Sequence, residues 1–153
     1  MCIRDSKKIS AEAKGLKIEN KIEMEPKDGN YNVLGDAIWL KEAVNNLIEN
    51  SIKYTKEGGI TIGLERKPAR AGGESKLLLY VKDTGVGITE EDKKNLFTEG
   101  GRGKESVKVN VDSTGYGLYT VKLIIEAHKG RVWEESGGQG KGSAFFVESY
   151  SNQ

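Results

Sequence analysis

Segments of two different hydrophobic periods follow one another along the chain, and their order limits the fold that it can adopt. Apolar residues alternate over 15–24, which predicts a half-buried strand. A helical period predicts one long helix over 36–55, with Asp36 as its N-cap, and a second over 115–129. The capping-box pattern at Thr89 predicts a short helix to about residue 96. Further strands are predicted at 60–66, 76–83, 131–135 and 143–149.

This order of elements predicts an α+β domain built as a two-layer sandwich. The sheet is expected to be mixed and mostly antiparallel, with the helices on one of its faces. Strands 60–66 and 76–83 are expected to form a hairpin. The chain has 153 residues, the size of a single domain. We assign this domain to residues 15–149, with 1–14 as an N-terminal lead-in or tail and 150–153 as a C-terminal tail.

The composition excludes several classes of site and partner. The 24 Lys and Arg residues nearly balance 23 Asp and Glu residues, so we expect no nucleic-acid partner. Single Cys and His residues exclude an intrachain disulfide and a multi-histidine or Cys-based metal site. No apolar run approaches the ~18 residues of a membrane span, so we expect no direct membrane insertion. A cytoplasmic location is expected, either alone or as the cytoplasmic part of a membrane-bound sensor.

Glycine is unusually frequent and clustered between the periodic segments. Glycine makes up 20 of 153 residues, or about 13%, against about 7% in an average protein. Such clusters indicate loops in which the backbone comes close to another group. Residues 98–114 include one cluster and show no period, so this segment is expected to be a functional lid or disordered.

One flank of the first long helix carries an unusual set of polar side chains. Asn46, Asn50, Lys53 and Tyr54 fall on the same side at about 100° per residue. Asparagine is a mediocre helix former, so two of them one turn apart need a reason. A solvated polar face is one possible reason. A phosphate and Mg²⁺ site is the other, because an amide oxygen is a hard ligand and a lysine can neutralise phosphate.

Two glycine-containing motifs lie at the ends of predicted elements. Asp83 follows an apolar strand and precedes Gly85 and Gly87, and its carboxylate could accept a hydrogen bond from an exocyclic amine such as that of adenine. A strand-end turn explains the same residues. Gly115 and Gly117 open the second long helix, where free N–H groups bind anions, although a flexible helix start is the simpler explanation.

Neither of the two best-known phosphate-binding fingerprints is present. Gly140-Lys141-Gly142-Ser143 departs from the P-loop pattern, because Gly142 separates Lys141 from Ser143. No G-x-G-x-x-G occurs at Gly85 or at Gly115. P-loop and dinucleotide-binding folds are therefore rejected.

Taken together and in order, these motifs resemble the catalytic and ATP-binding domain of bacterial sensor histidine kinases. The motifs are N-x-x-x-N-x-x-K-Y, D-x-G-x-G-I, Leu96-Phe97, T-G-Y-G-L and G-K-G-S, and the resemblance covers about residues 15–149. The domain belongs to the superfamily shared with gyrase, heat-shock chaperone and mismatch-repair ATPases. The resemblance implies the Bergerat fold with a flexible ATP lid, and ATP and Mg²⁺ as cofactors.

The resemblance assigns roles to the helix flank and to the strand end. It implies Asn50 as the Mg²⁺ ligand, Asn46 as a polar contact to metal-bound water or phosphate, and Lys53 as a phosphate contact. Tyr54 is expected to wall the adenine site. Asp83 would accept a hydrogen bond from the adenine amine. Around it, the pocket would be shaped by Gly85, Gly87, Ile88 and Ser143.

The resemblance also implies a lid over about 98–114. We expect this lid to order only with nucleotide, because the segment has three glycines and is mostly polar. Phe97, with Leu96, would form its hinge, and Arg102 and Lys104 would contact phosphate. Its closing end over the phosphates would be formed by Gly115, Tyr116, Gly117 and Leu118. Two positions depart from the family: Ser113 stands where Gly is common, and Tyr116 where Leu is common. Both departures could change how the lid moves.

The chain lacks a phosphoacceptor of the expected type. His128 is followed by Lys129 and Gly130 rather than by an acidic residue, so we predict a structural or surface role for it. The expected partners are a separate dimerisation and histidine-phosphotransfer helical domain and a downstream response regulator. Without those acceptor helices, the isolated domain is expected to be a monomer.

Three other functions remain open from the residues alone. The chain's length favours a stand-alone relative such as an anti-sigma serine kinase, but such proteins typically carry Glu where Asn46 stands, and an amide cannot abstract a proton. A catalytically silent nucleotide-binding module is the second alternative. A structural domain that binds no nucleotide is the third.

Overall fold

The computed structural model describes residues 3–22, 33–100 and 117–151. The helices are α1 (Ile3–Ala13), α2 (Ala37–Lys53), α3 (Glu90–Lys93) and α4 (Gly117–Ala127). The strands are β1 (Lys17–Asn20), β2 (Gly59–Lys67), β3 (Lys76–Asp83), β4 (Arg131–Glu135) and β5 (Ser143–Tyr150). Each predicted element is present. The first strand and the short helix are shorter than predicted, and α1 occupies most of the predicted lead-in.

The described strands form one mixed, mostly antiparallel sheet, as the sequence predicts. Their order is β1-β2-β3-β5-β4. The β1 and β2 strands run parallel, whereas the other neighbours are antiparallel and β2 and β3 form the predicted hairpin. Ile60 on β2 and Ser143 on β5 both lie opposite Asp83 of β3. The end of β3 therefore lies inside the sheet, with a strand on either side.

The core lies between one face of the sheet and the two long helices. The α2 and α4 helices pack against each other, and α1 packs against α2 and β1. The largest fully buried apolar side chains come from both layers, and burying apolar side chains is the main source of stability. They are Leu47, Ile60, Val81, Val121 and Phe145.

The opposite face of the sheet carries an aromatic cluster. The rings of Trp133 and Phe146 stack with centroids 5.3 Å apart, and Tyr80 lies 6.5 Å from Phe146. The Tyr80 ring crosses Gly63 on the neighbouring strand, where a Cβ would overlap it. Lys82 and Arg131 lie over these rings, so the face combines aromatic and cationic groups.

His128 joins the end of α4 to the beginning of α2. Its Nδ1 lies 2.7 Å from the Ile124 carbonyl, which can only accept, and its Nε2 accepts from the Asp36 N–H at 3.0 Å. One ring nitrogen therefore donates a hydrogen bond and the other accepts one. Asp36 is the N-cap of α2, as predicted from the sequence: its carboxylate accepts hydrogen bonds from the N–H groups of Ile38 and Trp39. The structural role predicted for His128 agrees with this geometry.

We expect His128→Ala to lower the free energy of unfolding by about 1 kcal/mol, the typical net worth of an intramolecular hydrogen bond. The loss would come from the hydrogen bond between the Asp36 N–H and His128 Nε2, which joins the start of α2 to the end of α4. Urea unfolding followed by circular dichroism measures it. Leu123→Ala is the matched control, because Leu123 is on the same helix and 50% exposed. Equal stabilities of the two variants would mean that His128 does not join the helices.

Candidate active site

The carboxylate of Asp83 is the most tightly held polar group at the predicted site. Its Oδ1 accepts the backbone N–H of Gly85 at 2.9 Å and that of Ser143 at 3.3 Å. Its Oδ2 accepts the Ser143 hydroxyl at 2.8 Å. Donors on two different elements thus fix the plane of the carboxylate, and Ser143 lies beside Asp83 as expected.

Burial raises the pKa of the Asp83 carboxyl above its ordinary value, because removal from water disfavours the charged form. The hydrogen bonds from Ser143 and Gly85 lower the pKa, but by less. Ser51 also lies close enough to lower it. A desolvated carboxylate with fixed orientation is well suited to accept one further hydrogen bond from a ligand.

The Ser51 hydroxyl is a polar group that the sequence analysis missed. Ser51 is fully buried, and its Oγ has no partner in hydrogen-bonding geometry among the described residues. Its neighbour Thr55 is also fully buried, and its hydroxyl donates to the Ser51 carbonyl at 2.7 Å. A buried hydroxyl with no partner costs free energy, so its presence beside Asp83 favours a polar ligand or water there. The available signal was a serine among the apolar positions of α2.

The glycines around Asp83 are required by contacts within the protein itself. Gly87 has φ 73° and Gly142 has φ 69°, backbone conformations that side chains rarely allow. A Cβ at Gly87 would overlap the Gly138 carbonyl, and one at Gly142 would overlap the Asp83 carbonyl. The Gly142 N–H donates to the Gly85 carbonyl at 3.1 Å. The loop after β3 and the loop before β5 therefore interlock through their backbones.

The end of α2 is attached to the same loop. The Val86 N–H donates to the carbonyl of Tyr54, the C-cap of α2, at 3.0 Å. A Cβ at Gly85 would overlap that carbonyl and lie 2.9 Å from Thr55 Oγ1. This attachment brings the predicted helix flank and the predicted adenine acceptor together.

The predicted flank of α2 faces the start of α4 at one of its positions. Asn46 and Asn50 are half-buried, whereas Lys53 is exposed. A Cβ built on Gly117 would lie 3.9 Å from Asn46 Oδ1, so the amide reaches the first residue of α4. Amide oxygens beside the start of a helix, with a lysine further along α2, form a set of groups that suits a metal–phosphate ligand.

Three of the predicted nucleotide-binding residues belong to the core. Ile88 and Leu118 are almost fully buried, and Phe97 packs against the core with its ring 6.3 Å from that of Phe145, edge to face. These side chains support the loop after β3, the start of α4 and the segment after α3. Ile88 also fixes the interlocked loops, because its N–H donates to Ser136 Oγ at 3.0 Å.

Most of the predicted lid lies outside the described residues. Arg102, Lys104, Gly115 and Tyr116, together with Ser113, fall within 101–116. Their assigned roles remain predictions from the resemblance. The described part of the chain ends before this segment at Gly100 and resumes at Gly117, beside Asn46.

Comparison with known proteins identifies the family. Residues 35–150 match the model of the histidine kinase-, DNA gyrase B- and HSP90-like ATPase family. Among curated relatives, sensor histidine kinase AruS of Pseudomonas aeruginosa is 36% identical over 110 residues, which cover 72% of this chain and 11% of AruS. Sensor histidine kinase GacS of Pseudomonas protegens is 30% identical over 151 residues, which cover 95% of this chain and 16% of GacS. The chain thus spans a small part of its curated relatives.

Solved structures share the fold. Full-length ShkA in complex with AMPPNP gives a TM-score of 0.72 at 23% identity, covering 99% of this chain and 30% of that chain. The mycobacterial sensor histidine kinase MprB gives a TM-score of 0.75 at 20% identity, and the match covers 97% of this chain and 91% of that chain. Within the described residues, no helix has the length and apolar character needed to cross a membrane.

Because the family model matches residues 35–150, the chain belongs to the histidine kinase-, DNA gyrase B- and HSP90-like ATPase family, as an ATP-binding catalytic domain of the sensor histidine kinase type.

Proposed function

We propose that this domain binds ATP together with Mg²⁺ and presents the γ-phosphate to a histidine on a separate dimerisation and phosphotransfer domain. The observation that carries the proposal is the half-buried Asp83 carboxylate, held in plane by Ser143 and Gly85 and accompanied by the fully buried hydroxyl of Ser51. Family membership supports ATP as the nucleotide. A response regulator would receive the phosphoryl group downstream, and the reaction would take place in the cytoplasm.

Asp83 would select adenine through hydrogen bonding. The carboxylate already accepts three hydrogen bonds within the protein, and its remaining lone pair can accept one from the exocyclic amine. The Ser51 hydroxyl could contact the base directly or hold a water between base and carboxylate. Guanine has a carbonyl oxygen at the corresponding position, so two acceptors would face each other and adenine would be preferred.

The flank of α2 would hold the charged end of the nucleotide. Asn50 would supply an amide oxygen suited to Mg²⁺, and Asn46, one turn earlier on α2, lies beside the start of α4. The exposed Lys53 ammonium is free to approach phosphate as a point charge. When bound, Mg²⁺ would neutralise phosphate charge. The protein's part in phosphoryl transfer is to hold and orient the nucleotide, which is most of what the reaction requires.

The acceptor histidine would come from outside this chain. His128 is the chain's single histidine, and both of its ring nitrogens are hydrogen-bonded in the join between α4 and α2. The curated relatives AruS and GacS are longer sensor histidine kinases, of which this chain spans 11% and 16%. A helical domain that carries the acceptor is consistent with that length.

We expect Asp83→Asn to weaken ATP binding about 10- to 100-fold, the usual worth of a hydrogen bond to a charged group. The new Nδ2 would face the adenine amine, so two donors would oppose each other. GTP presents an acceptor there, so its affinity should fall less or should rise. Isothermal titration calorimetry with both nucleotides measures the ratio. Equal losses for ATP and GTP would show that Asp83 does not read the base.

The stability of the same variant provides the control. Because burial raises the folded-state pKa of Asp83, the ionised carboxylate opposes folding, and its contribution becomes more unfavourable as pH rises above the ordinary value of 3.8. Asp83→Asn removes this contribution while keeping the shape. The melting temperature at neutral pH should therefore not fall. Loss of folding with normal ATP affinity would make Asp83 a purely structural residue.

We expect Asn50→Ala to remove the gain in ATP affinity that Mg²⁺ provides, because it deletes the proposed metal ligand. Affinity for ATP in the presence of a chelator should change little, since the adenine site is intact. Titrations with and without Mg²⁺ give the two values. Asn45→Ala on the same helix is the matched control and should keep the dependence on Mg²⁺. An unchanged effect of Mg²⁺ in Asn50→Ala would remove Asn50 from the metal site.

Labelling distinguishes the histidine-kinase proposal from the serine-kinase alternative. Incubated alone with γ-labelled ATP and Mg²⁺, the chain should retain no label, because its one histidine is held in the helix join and Asn46 cannot act as a base. Denaturing gels with acid and neutral washes measure retention. Acid-stable label on a serine would contradict the proposal, and acid-labile label on His128 would contradict the structural role of that residue.

A further inference from the structure

Ser136, the first residue after β4, uses its hydroxyl to hold the protein's own backbone. The hydroxyl donates to the Gly142 carbonyl at 2.7 Å, in preference to the Gly138 carbonyl, which is 3.5 Å away. It accepts the N–H of Ile88 at 3.0 Å and that of Gly138 at 3.3 Å. A hydroxyl can donate one hydrogen bond and accept two, so its capacity is fully used. Ser136 therefore has no hydrogen bond left for a ligand, and its role depends on the groups that it holds.

The bond from Ser136 to Gly142 bears on Asp83 through a single peptide unit. That unit joins Gly142 to Ser143, and its N–H donates to Asp83 Oδ1 at 3.3 Å. A trans peptide is planar, and its C=O and N–H point in opposite directions. Because the Ser136 hydroxyl fixes the direction of the oxygen, it also fixes the direction of the Ser143 N–H.

The backbone at Gly142 needs such support from outside. Gly142 has φ 69° and no side chain, so its own conformational preferences restrict it little. Its N–H donates to the Gly85 carbonyl at 3.1 Å, which fixes the peptide that precedes Gly142. The Ser136 hydroxyl fixes the peptide that follows it. The two bonds together define both peptide planes at the entrance to β5.

Ser136 is itself held by two other elements. The Ile88 N–H that it accepts belongs to the loop after β3, and the Ile88 side chain is almost fully buried. Lys93 of α3 donates to the Ser136 carbonyl at 3.2 Å, and its ammonium is also paired with Glu90 at 2.6 Å. Ser136 is thus attached to the loop that follows Asp83 and to α3, which makes it a fixed support.

We propose that Ser136 is a positioning residue for adenine recognition, which acts on Asp83 through the Gly142–Ser143 peptide. This inference rests on the proposed function, since it requires that Asp83 accepts a hydrogen bond from the base. The Ser136 hydroxyl keeps the Ser143 N–H on Asp83 Oδ1. The carboxylate then keeps one orientation before the nucleotide arrives, so binding does not have to restrict it.

Nucleotide-free protein provides the first test, because this test does not depend on ATP. The hydrogen bond from the Ser143 N–H lowers the pKa of the Asp83 carboxyl. Ser136→Ala releases the peptide and weakens that bond, so we expect the pKa of Asp83 to rise above its wild-type value. A carbon-13 NMR titration of the Asp83 carboxyl carbon measures the change. Ser136→Thr keeps a hydroxyl and should keep the wild-type pKa.

Ser75→Ala is the matched control. It makes the same chemical change at a buried serine whose hydroxyl has no partner among the described residues. Ser75 directly precedes β3, eight residues before Asp83, which is about 26 Å along an extended strand. We expect this variant to keep the wild-type pKa of Asp83 and the wild-type affinity for ATP.

Affinities for ATP and GTP provide the second test. We expect Ser136→Ala to weaken ATP binding about fivefold, the factor that corresponds to one ordinary hydrogen bond, and to weaken GTP binding less. Ser136→Thr should restore the affinity for ATP. In the Asp83→Asn background, Ser136→Ala should cost less than about twofold, because the acceptor that Ser136 positions is then absent. Isothermal titration calorimetry is carried out at a temperature at which circular dichroism shows every variant to be folded.

Three results would overturn the proposal. The first is a pKa of Asp83 in Ser136→Ala that equals the wild-type value or lies below it. The second is an equal loss of ATP and GTP affinity that Ser136→Thr does not restore, which would make Ser136 a purely structural residue. The third is a full fivefold loss in the Asp83→Asn background. If the wild-type chain binds no ATP, the proposed function fails, and the titration of Asp83 alone decides whether Ser136 positions the carboxylate.

Discussion

Backbone contact between two loops holds the site together. The loop after β3 and the loop before β5 exchange hydrogen bonds, Gly142 to Gly85 at 3.1 Å and Gly140 to Val86 at 2.7 Å, and they are too close for side chains at Gly87 and Gly142. This contact places the Ser143 N–H and hydroxyl against the Asp83 carboxylate. Those donors offset part of the free energy needed to bury the carboxylate, so the orientation of Asp83 depends on the loops.

The same contact decides how the glycine motifs are understood. From the sequence alone, Gly85 and Gly87 had two explanations: a strand-end turn, or a backbone that lets a ligand approach. The structure shows that both glycines are closely packed against protein backbone, Gly85 against Tyr54 and Gly87 against Gly138. Glycine is needed at both positions because a side chain there would overlap the neighbouring backbone. In the proposed nucleotide site these glycines would act through the position that they give to Asp83.

The features that could be predicted from the sequence are those that depend on local pattern. The helical period and the cap at Asp36 define α2, and the alternation on either side of a turn defines the β2–β3 hairpin. The composite motif identified the family because its residues keep a fixed order along the chain. Asn46, Asn50 and Asp83 were found in this way, and the structure brings the elements that carry them together at the Tyr54–Val86 contact.

Features that depend on distant partners could not be predicted in the same way. The parallel pairing of β1 with β2 has no local signal, because a strand has the same period in either direction. Ser51 has the spacing of a core residue, and only the fold shows that it faces a carboxylate. Ile88, Phe97 and Leu118 carry the family motif, yet their side chains pack in the core or against it. A motif position therefore does not distinguish a ligand contact from the packing that supports one.

The two ends of α2 are held by different parts of the protein. At its beginning, the Asp36 N–H is bound by His128, and the Ile38 and Trp39 side chains point away from the core. At its end, Lys14 donates to the carbonyls of Ile52 and Lys53, and the Tyr54 carbonyl holds the loop after Asp83. Between these attachments the helix packs on α4 and the sheet. A helix fixed at both ends moves little relative to the sheet, so the proposed nucleotide site keeps its geometry.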